Sequence, residues 1–301
     1  MKLKKYLLFC VYLLLIIDTV ESVKAGDRGI AYNLSSPDKV LILPDILHEV
    51  SGLTYIDSTT FACIQDENGI LFIYDIQQNK IVKQYTFHMD GDYEGITKVG
   101  HAIYVLRSDG TLFEIVNYTS EKFKLSSYVT GIPANNNEGL CYDEGGNRLL
   151  IACKGKVGKG AELKDRRLIY AFDLNTKKLS NEPVFDFDVQ AVKKFAMSNN
   201  IEIPKKTRDR KGQVTSEPFL KFSTSAICIH PLTKKLYLLS ASDHLLFVFD
   251  MNGQIEHLQP LDPQVFNKAE GITFYNNGEM LITNEGQNKK PTLLQFKYKR
   301  E

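Results

Sequence analysis

Residues 135–143 read NNNEGLCYD: an acid followed at once by glycine, then apolar residues alternating with other types. The same opening recurs as YEGIT (93–97) and AEGITF (269–274), and in weaker form as VSGLTY (50–55) and TSAICI (224–229). Taking the residue before the glycine, or before Ala226, as marker gives Ser51, Glu94, Glu138, Ser225 and Glu270. Their spacings are 43, 44, 87 and 45 residues. A period near 44 is that of a β-propeller blade, a four-stranded antiparallel sheet set about a central axis.

Two further strands keep the same phase. FACIQDENG (61–69), IYVLRSDG (103–110), LLIACKG (149–155), LYLLSASD (236–243) and MLITNEG (280–286) supply the second strand of each unit. ILFIYD (70–75), TLFEI (111–115), LIYAFD (168–173), LLFVFD (245–250) and TLLQF (292–296) supply the third. These runs are β-branched and aromatic and are bounded by Gly, Asn and Asp, as half-buried strands are. The cysteines keep register as well, Cys141 with Cys228 and Cys63 with Cys153. The interval of 87 reads as one blade carrying two insertions, at about 154–167 and 188–219. In the second, Val189, Val192, Phe195 and Ala196 fall on one face of a short helix, and KKTRDRK (205–211) is an exposed basic loop. The expected fold is all-β, a five-bladed β-propeller, with six blades as the alternative. VLIL at 40–43 is placed to give the last blade its outer strand and so close the ring.

Composition is that of an ordinary globular protein: 301 residues, 43% hydrophobic and 24% charged, with no Trp but 15 Tyr and 17 Phe. The first 25 residues stand apart. MKLKK is a basic opening, residues 6–17 are an apolar run, and Val23-Lys24-Ala25 fits a small-x-small cleavage pattern. A cleaved export signal is expected, with an uncleaved anchor as the alternative, because the run is short of the ~20 apolar residues of a membrane span. Residues 26–301 then form one propeller domain in a periplasmic or cell-envelope setting. Removing four Lys and two acids from 37 basic and 36 acidic residues leaves a net charge of −1. That balance argues against nucleic acid as a partner. Cys63, Cys141, Cys153 and Cys228 each lie within an apolar run, without zinc-ligand spacing. They read as small buried hydrophobes, Cys141–Cys153 being the one pair placed to bridge.

In a propeller the first strand of each blade is innermost, so its first residue sits where all blades crowd together. Gly52, Gly95, Gly139 and Gly271 fit that crowding, with Ala226 the small exception. Glu94, Glu138 and Glu270 then converge at one mouth of the channel. The loops between second and third strands open on the same face and add Asp66, Glu67, Asp109, Asp243, Asn284 and Glu285. Carboxylates gathered in a partly dehydrated channel raise one another's pKa unless a cation joins them. An all-oxygen set suits a hard cation such as Ca²⁺ better than zinc. The expected metal ligands are therefore Glu94, Glu138, Glu270, Asp66, Glu67, Asn284 and Glu285. Arg107, Asp109, Lys154, Asp243 and His244 form the expected ligand-binding rim. The alternative is structural: each Glu caps backbone N–H groups of the next blade, and Arg107 and Lys154 balance the charge.

With these openings, and with QDENGILFIYD, LRSDGTLFEI, SASDHLLFVFD and ITNEG, the chain resembles the SdiA-regulated family of bacterial envelope proteins over roughly residues 39–296. The resemblance implies a five-bladed propeller, distantly similar to NHL-repeat propellers, with a calcium site and a ligand- or protein-binding role. The Glu-Gly motif also resembles the metal-ligand Glu-Gly of six-bladed calcium lactonases, which implies a ligand role for Glu94, Glu138 or Glu270. The long insertions in the third and fourth units depart from the plain pattern.

Other signals are weak. GKVGKG (155–160) lacks the Ser or Thr and the βα setting of a phosphate loop. Neither GxSxG nor an ordered Ser/His/Asp set is present. His230 reads as a turn residue on the opposite face, and His244 as the one histidine near the rim. The expectation is an exported, monomeric, calcium-binding propeller that presents its rim to a small ligand or protein. The alternative is a metal-dependent hydrolase using the same axis, with Asp243 and His244 as its titratable groups.

Overall fold

The computed structural model describes residues 30–299 except 121, 159 and 209–211. The expected export signal lies outside the described residues.

Five antiparallel sheets stand around one axis. After β1 (Lys39–Ile42), blade 1 is β2 (Val50–Tyr55), β3 (Thr60–Gln65), β4 (Ile70–Asp75) and β5 (Lys80–Thr86). Blade 2 is β6 (Tyr93–Val99), β7 (Ala102–Arg107), β8 (Thr111–Val116) and β9 (Lys124–Val129). Blade 3 is β10 (Asn137–Asp143), β11 (Arg148–Cys153) and β12 (Arg166–Asp173). Its outer strand is broken into β13 (Lys178–Leu179) and β14 (Phe185–Asp188), both paired with β12. Helix α1 (Val189–Ser198) follows. Blade 4 is β15 (Ala226–Ile229), β16 (Leu236–Ser240), β17 (Leu245–Phe249) and β18 (Ile255–Pro260). Blade 5 is β19 (Ala269–Phe274), β20 (Met280–Asn284) and β21 (Thr292–Phe296), completed by β1, whose residue Lys39 pairs with Gln295 and Ile42 with Thr292. The ring closes as the sequence implied, with five blades.

Each blade repeats one gradient of burial. β3, β7, β11, β16 and β20 are almost wholly buried, whereas outer strand β5 is mostly exposed. The core is therefore a set of layers between neighbouring sheets. Phe61 stacks on Tyr74 in one, and Phe187, Phe222, Phe247 and Phe249 fill the layer between blades 3 and 4.

The helix read in the second insertion is present, and residues 209–211 of the basic loop lie outside the described residues. Val189, Val192 and Ala196 of α1 are buried, and Asp188 caps the helix by accepting from Gln190 N at 2.8 Å. Cys63, Cys141, Cys153 and Cys228 carry no disulfide. Cys141 and Cys153 face different inter-blade layers, so the pair placed to bridge does not meet. His230 is buried in a turn, where its Nδ1 accepts from Leu232 N and Thr233 N. Among the described residues no helix is long and apolar enough to cross a membrane.

Candidate functional site

A skipped residue sets the site. In four inner strands the register slips at the marker: between Val50 and Gly52, Tyr93 and Gly95, Asn137 and Gly139, and Ala269 and Gly271. Ser51, Glu94, Glu138 and Glu270 are the bulged residues, and a bulge re-aims the side chain it leaves unpaired. The glycine that follows lies against the next blade. A β-carbon on Gly52 would stand 3.1 Å from Ile96 Cγ2, and one on Gly139 would stand 3.0 Å from Ile227 Cγ1. The expected crowding at this rim is therefore real.

Serine and glutamate use the bulge differently. Ser51 Oγ donates to the Tyr93 carbonyl at 2.6 Å and Ser225 Oγ to that of Ala269 at 2.8 Å, each tying its blade to the next. Among the described residues, none of the Glu94, Glu138 and Glu270 carboxylates accepts a backbone N–H. The capping alternative thus fails for the acids, and its charge-balancing half holds only at Lys154, because Arg107 is bound to Asp109.

The three glutamates line one narrow pocket on the axis, with Ser51, Gly95, Ala226 and Gly271 around them. Its volume of about 10 Å³ is room for a single water or ion. Glu138 is 2% exposed; Oε1 meets Lys154 Nζ, and Oε2 is buried without a hydrogen-bond partner. Burial and then the charge of Glu138 raise the Glu94 pKa well above the carboxylate range. Burial also raises that of Glu138, against the opposing pull of Lys154. Glu270, raised by burial and then by Glu138, reaches about 8. Lys268 stands 3.6 Å from Glu270 Oε1 and also pairs with Glu285. Asp92 adds its charge to Glu94 and Glu138, so the carboxylates around the axis outnumber the ammoniums of Lys154 and Lys268.

A second acidic group sits at the seam between blades 5 and 1. Carboxylate oxygens of Glu49, Asp66 and Glu285 lie within 4.8 Å of one another. Backbone bonds from Glu49 N to Glu285 O (3.1 Å) and from Asp66 N to Glu49 O (3.2 Å) hold the segments together. Burial, then Glu49 and Glu285, push the Asp66 pKa up to about 6.

The remaining expected residues are placed elsewhere. Glu67 is exposed on the β3–β4 turn. Asn284 is turned into its own blade, where Nδ2 donates to Val265 O and Thr292 Oγ1. Arg107 forms a forked pair with Asp109 and covers the Phe113 ring. Asp243 is not a rim group. It is buried, and its oxygens accept from Lys221 N, Phe222 N and Ser240 Oγ at 3.0, 2.8 and 2.7 Å. His244 stands over blade 4, outside the axial pocket. Sequence reading missed Glu49 and Lys268, which flank the motifs without belonging to them. It also missed His48, whose Nε2 lies 2.8 Å from Gln287 O beside the seam.

Both insertions rise on this same face, because β11 and β14 end at the rim where the inner strand β10 begins. Arg167 joins them by donating Nε to the Phe222 carbonyl at 2.9 Å and to that of Lys221. Thr224 N donates to Lys154 O at 3.0 Å, which links the opening of blade 4 to the axial lysine.

The fold and its axial acids define a five-bladed β-propeller with an acidic mouth. No family model matches the sequence, and no curated protein matches it. Among solved structures the chain is similar to a glutaminyl cyclase from Myxococcus xanthus, with a TM-score of 0.56 and 12% identity over 87% of this chain and 95% of that one. It is likewise similar to the PQQ-bound aldose sugar dehydrogenase of Streptomyces coelicolor, with a TM-score of 0.53 and 10% identity over 87% of this chain and 99% of that one. Such likenesses establish the propeller fold and nothing further.

Proposed function

We propose that the axial carboxylates hold a hard divalent cation, calcium by their chemistry, and that the face around it receives a small ligand or protein partner. The observation that carries this reading is Glu138 Oε2, a carboxylate oxygen buried without a partner in a pocket of three glutamates. A native fold rarely leaves such an atom unsatisfied. With Lys154 and Lys268 in place the carboxylates remain in excess, and a divalent ion would reduce that excess. Glu94, Glu138 and Glu270 supply oxygens alone, as calcium sites do.

The hydrolase alternative has less support. Asp243 spends its oxygens on the fold, and His244 does not line the axial pocket. Both similar solved structures are named as enzymes, yet at 10–12% identity they lend only a scaffold.

Calorimetric titration of the metal-free protein with calcium tests the proposal. Saturable 1:1 binding, lost in Glu138→Gln, is the expected result. A wild-type protein that binds no calcium at millimolar concentration overturns it.

A further inference from the structure

The face that carries the axial mouth has two unlike halves. Over blades 1 and 2 its connections are short: the turns at 66–69 and 108–110 and the loop at 87–92. Over blades 3 and 4 they are long, at 154–165 and 189–225, where both insertions rise. Each half is tied down by its own backbone. On the low side Gly91 N donates to Glu67 O at 2.9 Å and Tyr93 N to Asp66 O at 3.0 Å. On the raised side residues 205–208 pair with 212–218 through antiparallel bridges at Lys205–Pro218 and Arg208–Val214. Asp243 fastens that segment to blade 4 by accepting from Lys221 N and Phe222 N.

The halves also differ in charge. On the low side Glu49, Asp66, Glu67, Asp90 and Asp92 are partly or fully exposed, and among the described residues none of them forms an ion pair. Arg107, the cation beside these loops, is held by Asp109. On the raised side Lys156, Lys164, Lys205, Arg208 and Lys221 are exposed, and Lys206 lies half-exposed over the Phe219 ring. They outnumber the acids Glu162, Asp165, Glu202 and Glu217 of the same segments. Each half shows one large apolar side chain to solvent as well, Met89 at 72% exposure and Val214 at 84%.

We infer that, in place of the expected monomer, this face pairs with the same face of a second copy of the chain. A two-fold axis lying in the face, along the boundary of its halves, sets the raised basic half of each copy over the low acidic half of the other. Such an interface is self-complementary and closes at two copies. Opposite potentials then meet twice. A partner of one charge throughout would meet like charge over half of the face, so a polyanion or a polycation fits it less well. Exposed ion pairs contribute little each, which makes the association moderate and sensitive to salt. The inference rests on the reading of this face as a partner surface and needs no axial cation, so it and the calcium titration fail separately.

Sedimentation velocity of the protein in excess chelator tests it. At low salt a monomer–dimer equilibrium is expected, and its dissociation constant should rise about tenfold or more by about 1 M salt, where charges are screened beyond ~3 Å. Lys205→Glu with Arg208→Glu, and separately Glu67→Lys with Asp90→Lys, should each leave a monomer, because like charges then meet. All four side chains are exposed, so unchanged melting curves show that both double variants fold. Mixed in equal amounts, the two should form a heterodimer, since their reversed charges match at both contacts. A wild type that stays monomeric at millimolar concentration, species larger than a dimer, or a mixture of variants that stays monomeric overturns the inference.

Discussion

The backbone carbonyl of Glu138 occupies the place where a side chain on Gly95 would begin: a β-carbon there would lie 2.9 Å from it and 2.8 Å from Leu140 Cβ. One blade's glycine thus admits the next blade's acid to the axis. Gly95→Ala must push two inner strands apart, and overpacking of this kind costs about 1–3 kcal/mol. Gly155→Ala, with nothing within 4 Å of the added atom, should leave stability unchanged. Chemical denaturation of both variants checks the pair, and equal stabilities would show that the rim is not crowded.

The serines predict a different loss. Ser51→Ala and Ser225→Ala each remove the donor to a buried inter-blade contact, leaving the Tyr93 or Ala269 carbonyl without it. A cost of about 1–3 kcal/mol is expected for each, additive in the double variant because they tie different blades. Denaturation midpoints give the measurement.

Much of this was legible in the chain because propeller geometry is local in its first three strands. The inner runs are apolar on both faces, so FACIQ and LYLLS declare themselves. Outer strands such as KIVKQYT and KLSSYV have mostly exposed or half-exposed side chains and give no such signal. The acid-glycine step was readable as a motif, but the bulge behind it is a register relation between two strands. Glu49 and Lys268 reach the acids only through ring closure and the approach of strand ends, which no spacing in the chain encodes. Asp243 misled for a related reason: its position matched the rim, yet an insertion unique to that face drew its carboxylate inward to two backbone N–H groups.

The acidic axis sets the sign of a pH effect. Glu270 holds its proton to about 8 in the folded chain, because of burial and then Glu138, whereas an unfolded Glu releases it near 4.5. Between those values the folded state binds more protons, so this group's contribution to stability declines as pH rises. Metal-free protein should therefore show a falling melting temperature from pH 5 toward 8. Glu270→Gln should flatten the slope. Under the proposed function, calcium should flatten it too, by satisfying the ionised form. Melting curves across that range, with and without calcium, give the check.

His230 predicts the opposite slope at lower pH. Its ring is buried; Nδ1 accepts two backbone N–H groups, and Nε2 faces the Tyr32 hydroxyl at 2.8 Å, which itself donates to Gly278 O at 2.6 Å. With Nδ1 accepting, Nε2 carries the single hydrogen and the ring is neutral. Burial lowers its pKa to about 4, from 6.5. In that window the unfolded chain binds the extra proton, so the contribution of His230 to stability falls as pH drops from 6.5 toward 4. The His230 contribution can be isolated with His230→Gln, which lacks the titration although it costs packing at every pH. The difference in unfolding free energy between wild type and variant should narrow steadily as pH is lowered through the window. A difference that stays constant would mean that the ring is already charged in the folded protein, and that the His230–Tyr32–Gly278 chain does not fix its state.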